Sequence, residues 1–76
     1  MMETIAEALR LLKRQAAIQN DVRRARGSRV LEERELYLIR QRLARYPAAV
    51  QAITLTASEL HRPIEYLRVS DIERHC

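Results

Sequence analysis

The amino-acid sequence predicts a small all-α domain that takes up residues 1–76. Apolar residues recur at the three- and four-residue spacing of one helix face, and the two Pro and single Gly stand at proposed helix boundaries. Capping-box patterns of the form Ser/Thr-x-x-Glu mark helix starts. The predicted architecture is a long αα-hairpin, formed by residues 5–26 and 29–46, followed by short helices at residues 47–53, 57–68 and 71–75.

The first helix is expected to begin at Thr4, because Thr4 and Glu7 have capping-box spacing. One apolar stripe then follows, made of Ile5, Leu9, Leu12 and Ala16. The apolar pattern then drifts to a second stripe, which consists of Leu11, Ile18, Val22 and Ala25. Two stripes predict either a helix that contacts both its neighbour and a partner, or one whose two flanks are both packed inside the domain.

The central helix, residues 29–46, shows the clearest pattern of the chain. Its inner face is predicted to carry Leu36, Ile39, Leu43 and Tyr46. Gly27 suits the end of the preceding helix and Ser28 can cap this one. Pro47 closes it, since the residue before a proline is pushed out of the α region.

The last third of the chain is predicted to consist of short helices. Pro47 is a favourable first residue for the helix at 47–53, and residues 54–56, which include the β-branched Thr54 and Thr56, are expected to turn. Thr56 and Glu59 then form a capping box for the helix at 57–68, which Pro63 either kinks or replaces with a new turn. A further box, Ser70 with Glu73, begins the helix at 71–75.

Composition bounds the function. A 76-residue chain without Trp or Phe has a thin core of Leu, Ala and Ile, and at this size only about 60% of the unfolded surface is buried. A single Cys cannot form an internal disulfide, so we expect association with a second copy. The lone Cys, the lack of a signal-peptide pattern and the lack of an apolar run of about 18 residues predict a cytoplasmic protein that does not enter a membrane.

The residues available for chemistry are few. His75 and Cys76 are adjacent, and only His61 could join them, whereas a metal site needs three or four converging ligands. The acidic residues of the central helix stand among Arg residues, which indicates ion pairs on a solvated face. We therefore expect no enzyme activity, no metal, no cofactor and no small-molecule substrate.

The function favoured by the sequence is that of a regulatory or adaptor protein that binds another protein, or itself as a homodimer, through its helices. The predicted binding residues are Leu11, Ile18, Val22, Leu31 and Leu38. A basic patch at the hairpin turn would steer an acidic partner and speed the encounter. It consists of Arg23, Arg24, Arg26 and Arg29.

The alternative is a DNA-binding regulator in which residues 47–68 form a helix-turn-helix. The predicted DNA contacts are Thr56, Ser58, His61, Arg62 and Arg68, supplemented by the basic patch. Charge argues against this alternative, because residues 47–76 carry a net charge of −1 whereas residues 1–46 carry +5. Phosphate contacts supply much of the affinity for DNA, so the half of the chain that contacts DNA should be the positively charged half.

Overall fold

A computed structural model of the chain describes the backbone of residues 2–24 and 30–75, and the side chains of residues 4–24 and 30–75. Over these residues the protein is all-α and contains no strand, as the sequence predicts. The elements are α1 (Met2–Arg24), α2 (Val30–Leu43), α3 (Pro47–Leu60), a 3₁₀ turn (Ile64–Tyr66) and α4 (Val69–His75).

Helix α1 is the axis of the fold. It has 23 residues, about 34 Å at the rise of an α-helix, and the molecule is 41 Å in its longest dimension. Helices α2, α3 and α4 and the 3₁₀ turn all pack against it. Both of its apolar stripes are therefore used inside the fold: Leu9 and Leu12 are buried on one side, and Leu11 and Ile18 on the other.

The start of α1 differs from the prediction. The helix is already formed at Met2, so Thr4 lies within its first turns and does not cap it. Glu7 does not close a capping box; its carboxylate receives a hydrogen bond of 2.7 Å from the guanidinium of Arg10, one turn further along the same helix.

Helix α2 confirms the predicted inner face, with Leu36, Ile39 and Leu43 buried. It ends at Leu43, earlier than predicted, and Tyr46 is half-buried beyond its end with φ −128° and ψ 52°. Tyr46 precedes Pro47, which is the first residue of α3 as expected. The predicted turn at residues 27 and 28 lies outside the described residues.

Helix α3 runs without interruption from Pro47 to Leu60, so the predicted turn at residues 54–56 is wrong. Thr56 is 2% exposed, and its Oγ1 donates a hydrogen bond of 2.8 Å to the carbonyl oxygen of Ala52, one turn back. Its hydroxyl is thus satisfied inside the helix. Ile53 and Thr56 face the core together, and this burial outweighs the poor helix propensity of β-branched residues.

The helix predicted at residues 57–68 is also wrong in its extent. His61 ends α3 in the left-handed conformation, with φ 53° and ψ 42°. Pro63 begins the 3₁₀ turn, which is one of the two outcomes expected of that proline. Leu67, which follows the turn, is fully buried.

Helix α4 begins at Val69, slightly earlier than predicted. Asp71, and not Glu73, reaches back to the helix start: its Oδ2 accepts a hydrogen bond of 3.0 Å from the backbone N–H of Arg68. This is one half of a capping box. It fixes α4 where Ile72 is fully buried, so the C-terminal segment covers α3 and part of α1.

Candidate protein-binding surface

Four large apolar side chains of α2 point away from the core. Their exposed fractions are 65% for Val30, 79% for Leu31, 58% for Tyr37 and 52% for Leu38. They form two pairs at i and i+7, so with about 3.6 residues per turn they share one side of the helix. We call these four residues the α2 strip. They remain exposed because, among the described elements, α2 packs extensively only on α1.

A groove of about 490 Å³ adjoins the strip where α1 and α2 meet. Leu38 belongs to both the strip and the groove, and the buried side chains of Leu11 and Ile39 contribute to the groove wall. We call this feature the Arg groove. Its full lining is Arg10, Leu11, Arg14, Glu35, Leu38, Ile39, Gln41, Arg42 and Arg45.

Two of the four groove arginines are paired within the chain. Arg14 donates from Nε to Oε2 of Glu35 at 2.8 Å and from Nη2 to Oε1 at 3.3 Å. This hydrogen bond lowers the pKa of Glu35 below its ordinary value, and both the hydrogen bond and the charge of Glu35 raise the pKa of Arg14. Arg10 is paired with Glu7.

The other two groove arginines are free to meet a ligand. Arg42 and Arg45 are exposed, and neither has an ion-pair partner among the described residues. Beside them, Gln41 donates a hydrogen bond of 2.7 Å to the hydroxyl of Tyr37, linking the groove wall to the strip. The surface therefore combines exposed apolar side chains with two available positive charges.

The predicted protein-binding residues divide into two groups. Leu31 and Leu38 are exposed on α2, as expected of a contact surface. Leu11 and Ile18 are only 3% and 2% exposed, and Val22 is half-buried against the core. The expectation that these α1 residues form a free stripe is wrong, because α1 has packed neighbours on both apolar sides.

Sequence reasoning missed Val30 and Tyr37, although their i and i+7 spacing beside Leu31 and Leu38 is visible in the sequence. It also missed the groove arginines. Their proximity depends on how α1 and α2 pack, which no local pattern records.

The predicted basic patch is described only in part. Arg23 and Arg24 are exposed in the last turn of α1. Arg26 and Arg29 fall within the stretch that the structure leaves undescribed.

The residues predicted to contact DNA do not form a recognition helix. Thr56 is buried in the middle of α3, whereas Ser58, His61, Arg62 and Arg68 are exposed at or beyond its last turn. Oδ2 of Asp71 lies 4.0 Å from Nη1 of Arg62 and 3.8 Å from Nε of Arg68, so its charge partly neutralises both arginines. The helix-turn-helix prediction for residues 47–68 is therefore wrong in its geometry.

No group of His, Cys, Asp and Glu within the described residues could hold a metal ion. His75 lies close to the carboxylate of Glu59, with Nε2 and Oε2 separated by 3.1 Å. Cys76 lies beyond the described part of the chain.

The helices of residues 2–24 and 30–75 include none with the length and apolar character needed to cross a membrane. Comparisons of the chain with family models, with curated proteins and with solved structures found no match. Within the described residues the protein is an all-α chain built on α1, with an uncovered apolar strip and a basic groove along α2.

Proposed function

We propose that this protein is a small regulatory or adaptor protein that binds a partner protein through the α2 strip and the Arg groove. The observation that carries the proposal is the exposure of four large apolar side chains on one side of a single helix. Single exposed apolar residues are ordinary on protein surfaces, but clustered ones mark interaction sites.

Energetics favour covering this surface. Complete burial of one Leu side chain contributes about 1.5–3 kcal/mol, and Leu31 and Leu38 are both more than half exposed. Tyr37 adds an aromatic ring, a residue type that is enriched at interface centres. A partner helix laid along α2 gains from all three.

DNA binding is a second candidate, supported by the arginines that line one groove. Phosphate groups would be attracted by Arg42 and Arg45. This candidate leaves the α2 strip without a role, since contacts to the phosphate backbone make no use of Leu31 or Leu38.

The proposal is tested with Leu38→Glu and a matched control, Leu55→Glu. Leu55 lies on α3 and is 57% exposed, close to the 52% of Leu38, so the two substitutions place the same charge at equally exposed leucines. The tagged wild-type chain and both variants are used for cross-linked affinity capture from the native host. We expect wild type and Leu55→Glu to retain the same proteins and Leu38→Glu to lose them.

Equal capture by all three chains, or capture of nothing by the wild type, would overturn protein binding at this surface. The three chains are also titrated with a short DNA duplex at low and at physiological salt. Wild-type binding to the duplex that falls steeply with salt would support the DNA candidate instead. Leu38→Glu should then weaken that binding, because the new carboxylate lies beside Arg42 and Arg45 in the groove.

A further inference from the structure

Resting on the proposed function, we infer that the occupant of the α2 strip and the Arg groove is an acidic amphipathic α-helix of another protein. In this arrangement apolar side chains of the partner contact Leu38 and Leu31, and its carboxylates meet Arg42 and Arg45.

The charge of the surface selects the partner. Four arginines and one glutamate line the groove, and the glutamate is already bound to Arg14. Arg42 and Arg45 are left without a counter-ion among the described residues, next to the apolar side chain of Leu38. A carboxylate gives guanidinium groups a partner of matching planar geometry, and charge complementarity supplies specificity and a faster encounter.

The dimensions of the surface fit a helix. Leu31 and Leu38 are one i and i+7 step apart on α2, about 10 Å along the helix axis. A partner helix packed beside α2 presents its own residues at i, i+4 and i+7 with the same spacing, which is the usual pattern of helix-in-groove recognition. Residues flanking that apolar row face the two free arginines.

A second copy of this chain fits the surface poorly. In a two-fold symmetric dimer the same patch lies on both sides of the interface. The exposed side of α2 that bears the strip also carries Arg34 and Arg42, and Arg45 follows two residues after the end of the helix. A symmetric contact therefore brings arginine towards arginine. Juxtaposed like charges disfavour such a complex.

The test is a displayed library of helical peptides about four turns long, or roughly 14 residues. Leu is fixed at i, i+4 and i+7, and the flanking positions are randomised among Glu, Gln and Lys. The library is selected against the wild type, a groove variant and a control variant. The groove variant is Arg42→Glu with Arg45→Glu.

The control variant, Arg40→Glu with Arg74→Glu, changes the net charge equally at two exposed arginines that do not line the groove. We expect the wild type and the control variant to enrich Glu over Lys by about tenfold or more, the scale of a single close charge pair. The groove variant should reverse this preference.

Several outcomes would overturn the inference: no selected helices, no preference for Glu on the wild type, or a preference that survives in the groove variant. Sedimentation of the wild type and of Leu38→Glu provides one more such outcome. If the wild type is a dimer and Leu38→Glu is a monomer, the occupant of the surface is a second copy of this chain.

The failure of this inference can be told apart from the failure of the proposed function. Helices that bind without charge preference and are lost on Leu38→Glu would exclude an acidic partner but support protein binding by the strip. Helices that bind Leu38→Glu as well as the wild type would count against both.

Discussion

Helices α2 and α3 have the same length, 14 residues, but opposite surroundings. Helix α3 has one charged residue, Glu59, and packs against α1, the 3₁₀ turn and α4. Helix α2 has six charged residues and, of the described elements, packs extensively only on α1. Large apolar side chains nevertheless occur on both.

The difference comes from the chain that follows each helix. After α3 the chain folds back, and Leu67 and Ile72 become fully buried against the core. No described element returns across the outer side of α2, so Leu31 and Leu38 stay exposed. Whether a large apolar side chain lies in the core or on an available surface therefore depends on whether a neighbouring element covers it.

The largest expected effect comes from truncating the centre of α3. Ile53 is 0% exposed, so Ile53→Ala removes buried methyl groups and leaves a cavity, at a cost of about 2–5 kcal/mol of unfolding free energy. The equivalent change on the exposed side of α2, Leu38→Ala, should alter it by no more than about 0.5 kcal/mol. Urea denaturation followed by circular dichroism measures both.

A 76-residue chain has a total stability of roughly 4–11 kcal/mol, so Ile53→Ala can leave the protein partly unfolded. Ile53→Val is the milder companion, with an expected loss of about 0.5–1.5 kcal/mol. A loss from Leu38→Ala as large as that from Ile53→Ala would mean that the α2 strip is core, and would end the contrast between the helices.

An intermediate effect is expected at the segment that covers α3. Asp71 is 9% exposed and accepts the backbone hydrogen bond of Arg68 at the start of α4. Asp71→Ala removes a charge-assisted hydrogen bond and should cost about 1.5–3 kcal/mol of unfolding free energy.

Asp71→Asn is the matched companion, because it keeps an oxygen acceptor for the Arg68 N–H but not the charge. In the same urea titration, Asp71→Asn should lose less unfolding free energy than Asp71→Ala. Equal losses for the two variants would show that the charge, and not the hydrogen bond, holds α4 in place.

Much of the fold was predictable where the signal is local. The three- and four-residue spacing of Leu36, Ile39 and Leu43 located the inner face of α2, and all three are buried. Pro47 marked the start of α3 because its fixed φ suits a first helical residue. These features depend on a few consecutive residues and need no tertiary contact.

The wrong predictions arose where tertiary packing overrides local preference. The β-branched residues Thr54 and Thr56 have a low helix propensity, which led to the predicted turn at residues 54–56. Thr56 is nevertheless held in α3 by burial and by its hydrogen bond to the carbonyl oxygen of Ala52. Leu11 and Ile18 were predicted to be exposed because α1 was assumed to pack against only one neighbouring helix. It packs against several, and both residues are core.

The candidate surface was predictable in its apolar part and not in its charge. The positions of Leu31 and Leu38 in the sequence already place them outside the inner face of α2, which is formed by Leu36, Ile39 and Leu43. The groove depends on contacts such as Arg14 with Glu35, which are 21 residues apart in the chain and meet only when α1 packs on α2. Sequence spacing carries no information about such a pair.

The smallest expected effect concerns that pair. Glu35 has a pKa below its ordinary value because Arg14 donates to its carboxylate, so Arg14→Ala should raise the pKa of Glu35 towards that value. A side-chain carboxyl NMR titration measures this shift. Arg10→Ala is the control: because Arg10 pairs with Glu7, this substitution should leave the pKa of Glu35 unchanged.

The sign of the pH dependence follows from the lowered pKa. A carboxyl group that is more acidic in the folded state stabilises the fold above its unfolded pKa, and this contribution is lost as the pH falls through the folded pKa. Wild type and Arg14→Ala should therefore converge in stability at acid pH. Both Arg14 and Glu35 are solvent-exposed, so the difference in unfolding free energy between wild type and Arg14→Ala at neutral pH should be slight and reduced by salt. The loss caused by Asp71→Ala should be larger, because Asp71 is buried. A salt-insensitive difference would mean that the groove between α1 and α2 is more shielded from water than the exposure of Arg14 and Glu35 indicates.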